Sequence, residues 1–137
     1  MTLLAQNLVL SSDVSNLIQI EKLIDSVCDN CHITEDNYGN ILIALTEAVN
    51  NAIVHGNKED VSKKVTLTYV VSNNEVCFVV KDEGCGFDLN KVPDSTLPEN
   101  INKLSGRGVF LMNSLADKVI YEDNGSSVVL KFCLSNS

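Results

Sequence analysis

Nowhere in this chain of 137 residues do ~20 apolar residues run together, the length a bilayer-spanning helix needs. Basic side chains are also scarce, because ten Lys and Arg stand against eighteen Asp and Glu and leave a net charge of -8. A field of that sign repels phosphate backbones and anionic lipid head groups, so direct binding of nucleic acid or of a membrane surface is not expected. The opening stretch MTLLAQNLVLSSD lacks the basic region and small-residue cleavage site of a signal peptide, and a cytoplasmic location is expected. Cys28, Cys31, Cys77, Cys85 and Cys133 are odd in number, which argues for reduced thiols over a disulfide framework. Cys28 and Cys31 form a Cys-x-x-Cys, but no second Cys/His pair at zinc spacing follows, and buried thiols on a helix face are the expected reading.

Internal repeats, low-complexity tracts and linkers are missing too. With 45% hydrophobic residues the chain can bury roughly two-thirds of its unfolded surface, and a single domain over residues 1–137 is expected. The run LLAQNLVL predicts a first strand. Val14, Leu17, Ile18, Ile20, Leu23, Ile24, Val27 and Cys28 then follow helical spacing over about 14–30. A second helix, capped by Thr34 or Asp36, buries Ile41, Leu42, Leu45, Ala48, Val49, Ala52 and Ile53 and stops at Gly56. VTLTYVV and EVCFVVKD read as a hairpin, DKVIYED and SSVVLKFCL as another around Asn124-Gly125, and VFLMNSLA as a third helix. This order predicts an α/β fold of the α+β two-layer type, a mostly antiparallel sheet covered on one face by three helices.

Five of the seven glycines gather in three clusters: Gly56, then Gly84 and Gly86, then Gly106 and Gly108. In the segment DEGCG the absent side chains let a ligand lie against the backbone, and Gly84 and Gly86 leave room for a flat base. In GRGVF a glycine pair opens a helix, where unpaired N–H groups and the dipole favour a phosphate. A GxG of this kind is equally an ordinary loop-to-helix turn. Asp82 ends an apolar strand just before the first pair, where a carboxylate can accept from an exocyclic amine or simply form a strand-end turn.

The stretch EAVNNAIVHGN carries Glu47, Asn51 and His55 at i, i+4 and i+8, which places them on one side of the second helix, opposite its apolar stripe. An amide oxygen is a hard ligand for a divalent cation, and a carboxylate one turn away can deprotonate a nucleophile. The bland alternative is a polar face with an i, i+4 hydrogen bond, and for His55 a charge partner of the helix C-terminus. Joint occurrence in order favours the chemical reading. A polar helix face, Asp-x-Gly-x-Gly after a strand, a proline-bearing segment and Gly-x-Gly at a helix start supply a cation ligand, a base, a purine anchor, a lid and a phosphate cradle.

These residues resemble the GHKL ATPases: EAVNNAIVHG resembles their N box, DEGCG and GRG their two glycine boxes, in an order that covers nearly the entire chain. The resemblance implies a Bergerat ATP-binding fold without a P-loop lysine. Within that superfamily, Glu-x-x-x-Asn followed by His-Gly on a compact chain is similar to the anti-sigma-factor serine kinases of bacterial partner switching. A histidine kinase catalytic domain is not expected, because no helical segment bearing a phospho-accepting His precedes these motifs, nor is a gyrase- or MutL-type ATPase, whose transducer domain 137 residues would not accommodate. By that resemblance Glu47 is the general base, Asn51 the Mg²⁺ ligand and Asp82 the adenine anchor. Gly84 and Gly86 approach the base, and Gly106, Arg107 and Gly108 wrap the triphosphate. Ser126 or Ser127 supplies a hydroxyl near the adenine, and residues 87–105, with Pro93 and Pro98, form an ATP lid. The implied activity is ATP- and Mg²⁺-dependent phosphorylation of a serine on an anti-anti-sigma (STAS-like) protein, with alternative binding of a sigma factor or another regulator. A homodimer is expected, and the apolar first strand offers a sheet edge for it. The alternative is a nucleotide-gated protein-binding module with little or no kinase activity.

Overall fold

A computed structural model describes residues 2–31, 33–72, 74–84, 112–122 and 126–134. Five strands form one sheet in the order β1-β2-β3-β5-β4, with β1 at Thr2–Ser11, β2 at Lys64–Ser72, β3 at Glu75–Lys81, β4 at Lys118–Glu122 and β5 at Ser127–Cys133. Every pairing is antiparallel. Period-two burial explains the register. Val65, Leu67, Tyr69 and Val71 of β2 turn inward, as do Val76, Phe78 and Val80 of β3 and Val128, Leu130 and Phe132 of β5. Phe78 and Phe132 meet edge to face with ring centroids 6.1 Å apart, a geometry that the aromatic quadrupoles favour. The first strand lies at an edge of the sheet.

Helix α1, Leu17–Asn30, presses Ile20, Ile24, Val27 and Cys28 into the core at helical spacing. Ahead of it a short 3-10 turn is capped by Asp13, whose carboxylate accepts from the Ser15 N–H at 2.9 Å. Helix α2, Glu35–Asn51, is capped by Thr34 rather than Asp36. Thr34 accepts from the Asn37 N–H, while Glu35 and Asp36 occupy the first turn, where the helix dipole favours negative charge. Its buried face is Ile41, Ala44, Leu45, Ala48 and Val49. Leu42, expected inside, is half-buried, and Ala44 is fully covered. Of the expected third helix, residues 112–115 are helical, and 109–111 lie outside the described residues, as does the turn at Asn124-Gly125. Burial pushes the Cys28 thiol up to about 11, so it stays protonated at neutral pH and belongs to the core, as its helical spacing indicates.

Candidate active site

Among the described candidates, Asn51 ends α2, and Asp82 and Gly84 lie against Gly56 just beyond it. After Asn51 the helix widens into a π turn, Ala52–Gly56, closed by the Asn57 N–H donating to the Ala52 carbonyl at 2.8 Å. Such turns insert one residue into the helical repeat. His55 is thereby shifted off the line that an unbroken α-helix would give Glu47, Asn51 and His55, and it stands exposed. The chain then reverses through Lys58 and Glu59, both left-handed with φ of 54° and 59°, and the Glu59 N–H closes the end on the Ile53 carbonyl at 2.7 Å.

Asp82 sits directly against this helix end. It is 8% exposed, its N–H donates to the Ser126 carbonyl at 2.9 Å, and its Oδ1 accepts from the Gly84 N–H at 2.8 Å. A Cβ on Gly56 would fall 2.2 Å from Asp82 Oδ2, and one on Gly84 would fall 2.0 Å from the Gly56 carbonyl oxygen. The space at Gly84, expected to admit a flat base, is taken by the backbone of Gly56. Glycine is required at both positions because the helix end and the turn touch. Ser126 and Ser127 are buried at the start of β5, and Ser126 meets Asp82 through its backbone carbonyl.

Glu47 is half-buried one turn before Asn51. It lines an exposed groove of about 510 Å³ between α1 and α2, with Leu17, Ile18, Glu21, Leu42, Ile43 and Thr46. Asn51 Oδ1 is a buried atom with no hydrogen-bond partner among the described residues. A buried amide oxygen without a partner loses its hydration and gains nothing in return. A hard cation such as Mg²⁺, which takes oxygen ligands, fits that atom. Gly86, Gly106, Arg107 and Gly108, together with the 87–105 segment, lie outside the described residues.

Residues 10–132 match the histidine kinase-like ATPase domain. The chain belongs to that family. A Bacillus cereus protein named serine-protein kinase RsbW is 31% identical over 102 residues, which are 69% of this chain and 63% of that protein. A Bacillus anthracis protein of the same name is 30% identical over the same extent. The chain thus spans a little under two-thirds of the curated relatives it matches. In structure, 98% of the chain superposes on 33% of a solved Mycobacterium tuberculosis chain containing the RsbU and RsbW domains of Rv1364c, with a TM-score of 0.69 at 15% identity. ATP is the nucleotide of a histidine kinase-like ATPase domain, and the solved chain shares the fold of five antiparallel strands and helices described above.

In this family member, electrostatics single out Asp82. Burial pushes its carboxyl above the ordinary 3.8, while the Gly84 N–H and the charge of Lys63 pull it back down. A raised folded-state pKa means that the native chain holds this proton more tightly than the unfolded chain. Ionising Asp82 therefore costs stability as pH rises from 3.8 to the raised value. Urea unfolding across mildly acidic pH will show the wild type losing ground to Asp82→Asn through that window and holding level above it. A difference independent of pH refutes the burial argument.

Sequence reasoning missed Asn57. Its side chain is fully buried, 0% exposed, and bonded to three other parts of the chain. The one available signal was an amide directly behind a helix-ending glycine, a position that usually faces water.

Proposed function

We propose that this protein is an ATP-dependent serine protein kinase of the anti-sigma-factor type. It transfers the γ-phosphoryl group of ATP to a serine hydroxyl of a small STAS-like anti-anti-sigma protein, and it binds a sigma factor or a similar regulator in alternation. The observation that carries this reading is the buried Asn51 Oδ1, without a hydrogen-bond partner among the described residues, one helical turn from the half-buried Glu47 carboxylate. The name of the curated relatives, serine-protein kinase, supports it.

Glu47 accepts the proton of the incoming serine as its oxygen bonds to the γ-phosphorus and the bond to the β-phosphate oxygen breaks, releasing ADP. Glu47 borders an exposed groove whose walls include Leu17, Ile18, Leu42 and Ile43, a surface better suited to a protein than to free water. Asn51 would hold Mg²⁺, which would supply charge neutralisation at the phosphates. Asp82 anchors the adenine, with Ser126 beside it. Gly84 holds the anchoring turn against Gly56, Gly86 approaches the base, and Gly106, Arg107 and Gly108 wrap the phosphates. We further propose one domain over 1–137, a homodimer that uses the β1 edge, and a cytoplasmic location. Among the described residues no helix is long and apolar enough to cross a membrane.

Incubation with ATP, Mg²⁺ and a purified STAS-like antagonist will yield phosphoserine on the antagonist and none on its serine-to-alanine variant. ATP binding without phosphoserine on any such antagonist would reduce the protein to a binding module.

A further inference from the structure

We infer that Asn57 is the positioning residue of the adenine anchor, so that it governs how tightly and how selectively ATP is held without touching the nucleotide. This deepens the proposed function and rests on Asp82 being the purine-reading group. Asn57 is 0% exposed, and both ends of its amide are used. Nδ2 donates to Ser12 Oγ at 2.8 Å and to the Lys64 carbonyl at 3.0 Å, and Oδ1 accepts from the Glu83 N–H at 2.8 Å. Ser12, also 0% exposed, donates its own hydroxyl proton to the Lys63 carbonyl at 2.7 Å. One side chain thus ties the end of α2 to the segment after β1, to the start of β2 and to the turn after β3.

Its place beside Gly56 makes this more than a satisfied buried amide. Two consecutive residues of the helix end hold two consecutive residues of the turn, because Gly56 abuts the Asp82 carboxylate while Asn57 binds the Glu83 N–H. The Asp82 carboxylate lies against Gly56, and the peptide that follows it is held by Asn57. The Lys64 N–H adds a further link to the turn through the Glu83 carboxylate. Without Asn57 Oδ1 the Glu83 N–H, on an exposed residue, turns to water, and the 82–84 turn loses its side-chain tie to the end of α2. A carboxylate that reads an exocyclic amine must be held in place to tell adenine from guanine, since discrimination by hydrogen bonds depends on placement.

Amide hydrogen exchange of the wild type comes first and needs no variant: the Glu83 N–H will be protected although its residue is exposed, and exchange at the unprotected rate overturns the inference. Calorimetry with ATP and GTP follows. Asn57→Ala will raise the ATP dissociation constant about tenfold, the worth of one hydrogen bond, and lower the preference for ATP over GTP. Ser12→Ala removes another Asn57 partner but spares the bond to Glu83. It will lower the melting temperature while leaving affinity and preference at wild-type values. Equal losses of preference in both variants, or an unchanged preference in folded Asn57→Ala, overturn the inference. Asp82→Asn separates the two levels. If it leaves the preference intact, the purine-anchor reading fails and the inference with it; if it abolishes the preference while Asn57→Ala does not, the inference fails alone.

Discussion

Glu47→Ala will bind ATP with nearly wild-type affinity and transfer phosphate ~10² to 10⁴ times more slowly, the usual contribution of a general base. Affinity survives because Glu47 stands a full turn from Asn51 and lines the groove between α1 and α2 rather than the contact of Asp82 with the helix end. Rate is lost because the serine hydroxyl has no acceptor for its proton while its oxygen attacks. The decisive measurement is single-turnover transfer to the antagonist alongside calorimetric ATP binding. Full transfer by the variant sinks the assignment. A fall in ATP affinity that accounts for the whole loss would make Glu47 a binding group instead.

Gly84→Ala will cost both stability and nucleotide binding. The added methyl would sit 2.0 Å from the Gly56 carbonyl oxygen and 3.1 Å from Asp82 Oδ1. The nearer atom is backbone and cannot step aside as a flexible side chain would, so the helix end and the turn must separate. Overpacking of this kind costs about 1–3 kcal/mol. Separation also moves the Asp82 carboxylate, and a displacement near 1 Å can cost ~10²-fold at a reacting or reading centre. Gly39→Ala is the matched control. A methyl added there would meet nothing within 4 Å, and alanine is better than glycine inside a helix by about 1 kcal/mol. The two substitutions are therefore expected to move the unfolding midpoint in opposite directions, and only Gly84→Ala to weaken ATP binding. Equal midpoints would show that the close contact of Gly56 and Gly84 is not maintained in solution.

Much of the architecture was legible because its signals are local. The spacing of Ile20, Ile24, Val27 and Cys28 marks a helix face, and the alternation along Val65, Leu67, Tyr69 and Val71 marks a strand face. Neither needs knowledge of the rest of the chain. The chemical residues of α2 were legible for a similar reason, since a carboxylate and an amide one turn apart share a helix side whatever packs around them. His55 was misplaced because periodicity assumes an unbroken α-helix. Its displacement comes from the π turn that closes when the Asn57 N–H reaches the Ala52 carbonyl. The role of Gly84 was misread as well. Glycine announces that something approaches the backbone, and it does not say whether the visitor is a ligand or, as here, the Gly56 carbonyl.

By itself the sequence determined the helices, the strands and the order of the chemical groups along them, because hydrophobic periodicity and side-chain chemistry are properties of neighbouring residues. Only the tertiary structure decided that Asp82 lodges against Gly56, that Asn51 Oδ1 has no hydrogen-bond partner among the described residues, and that Asn57 clasps the Glu83 N–H from 26 positions away. Contacts between such distant residues depend on where the chain returns after each turn, and that path follows from the packing of the whole sheet on its helices rather than from any short stretch of residues.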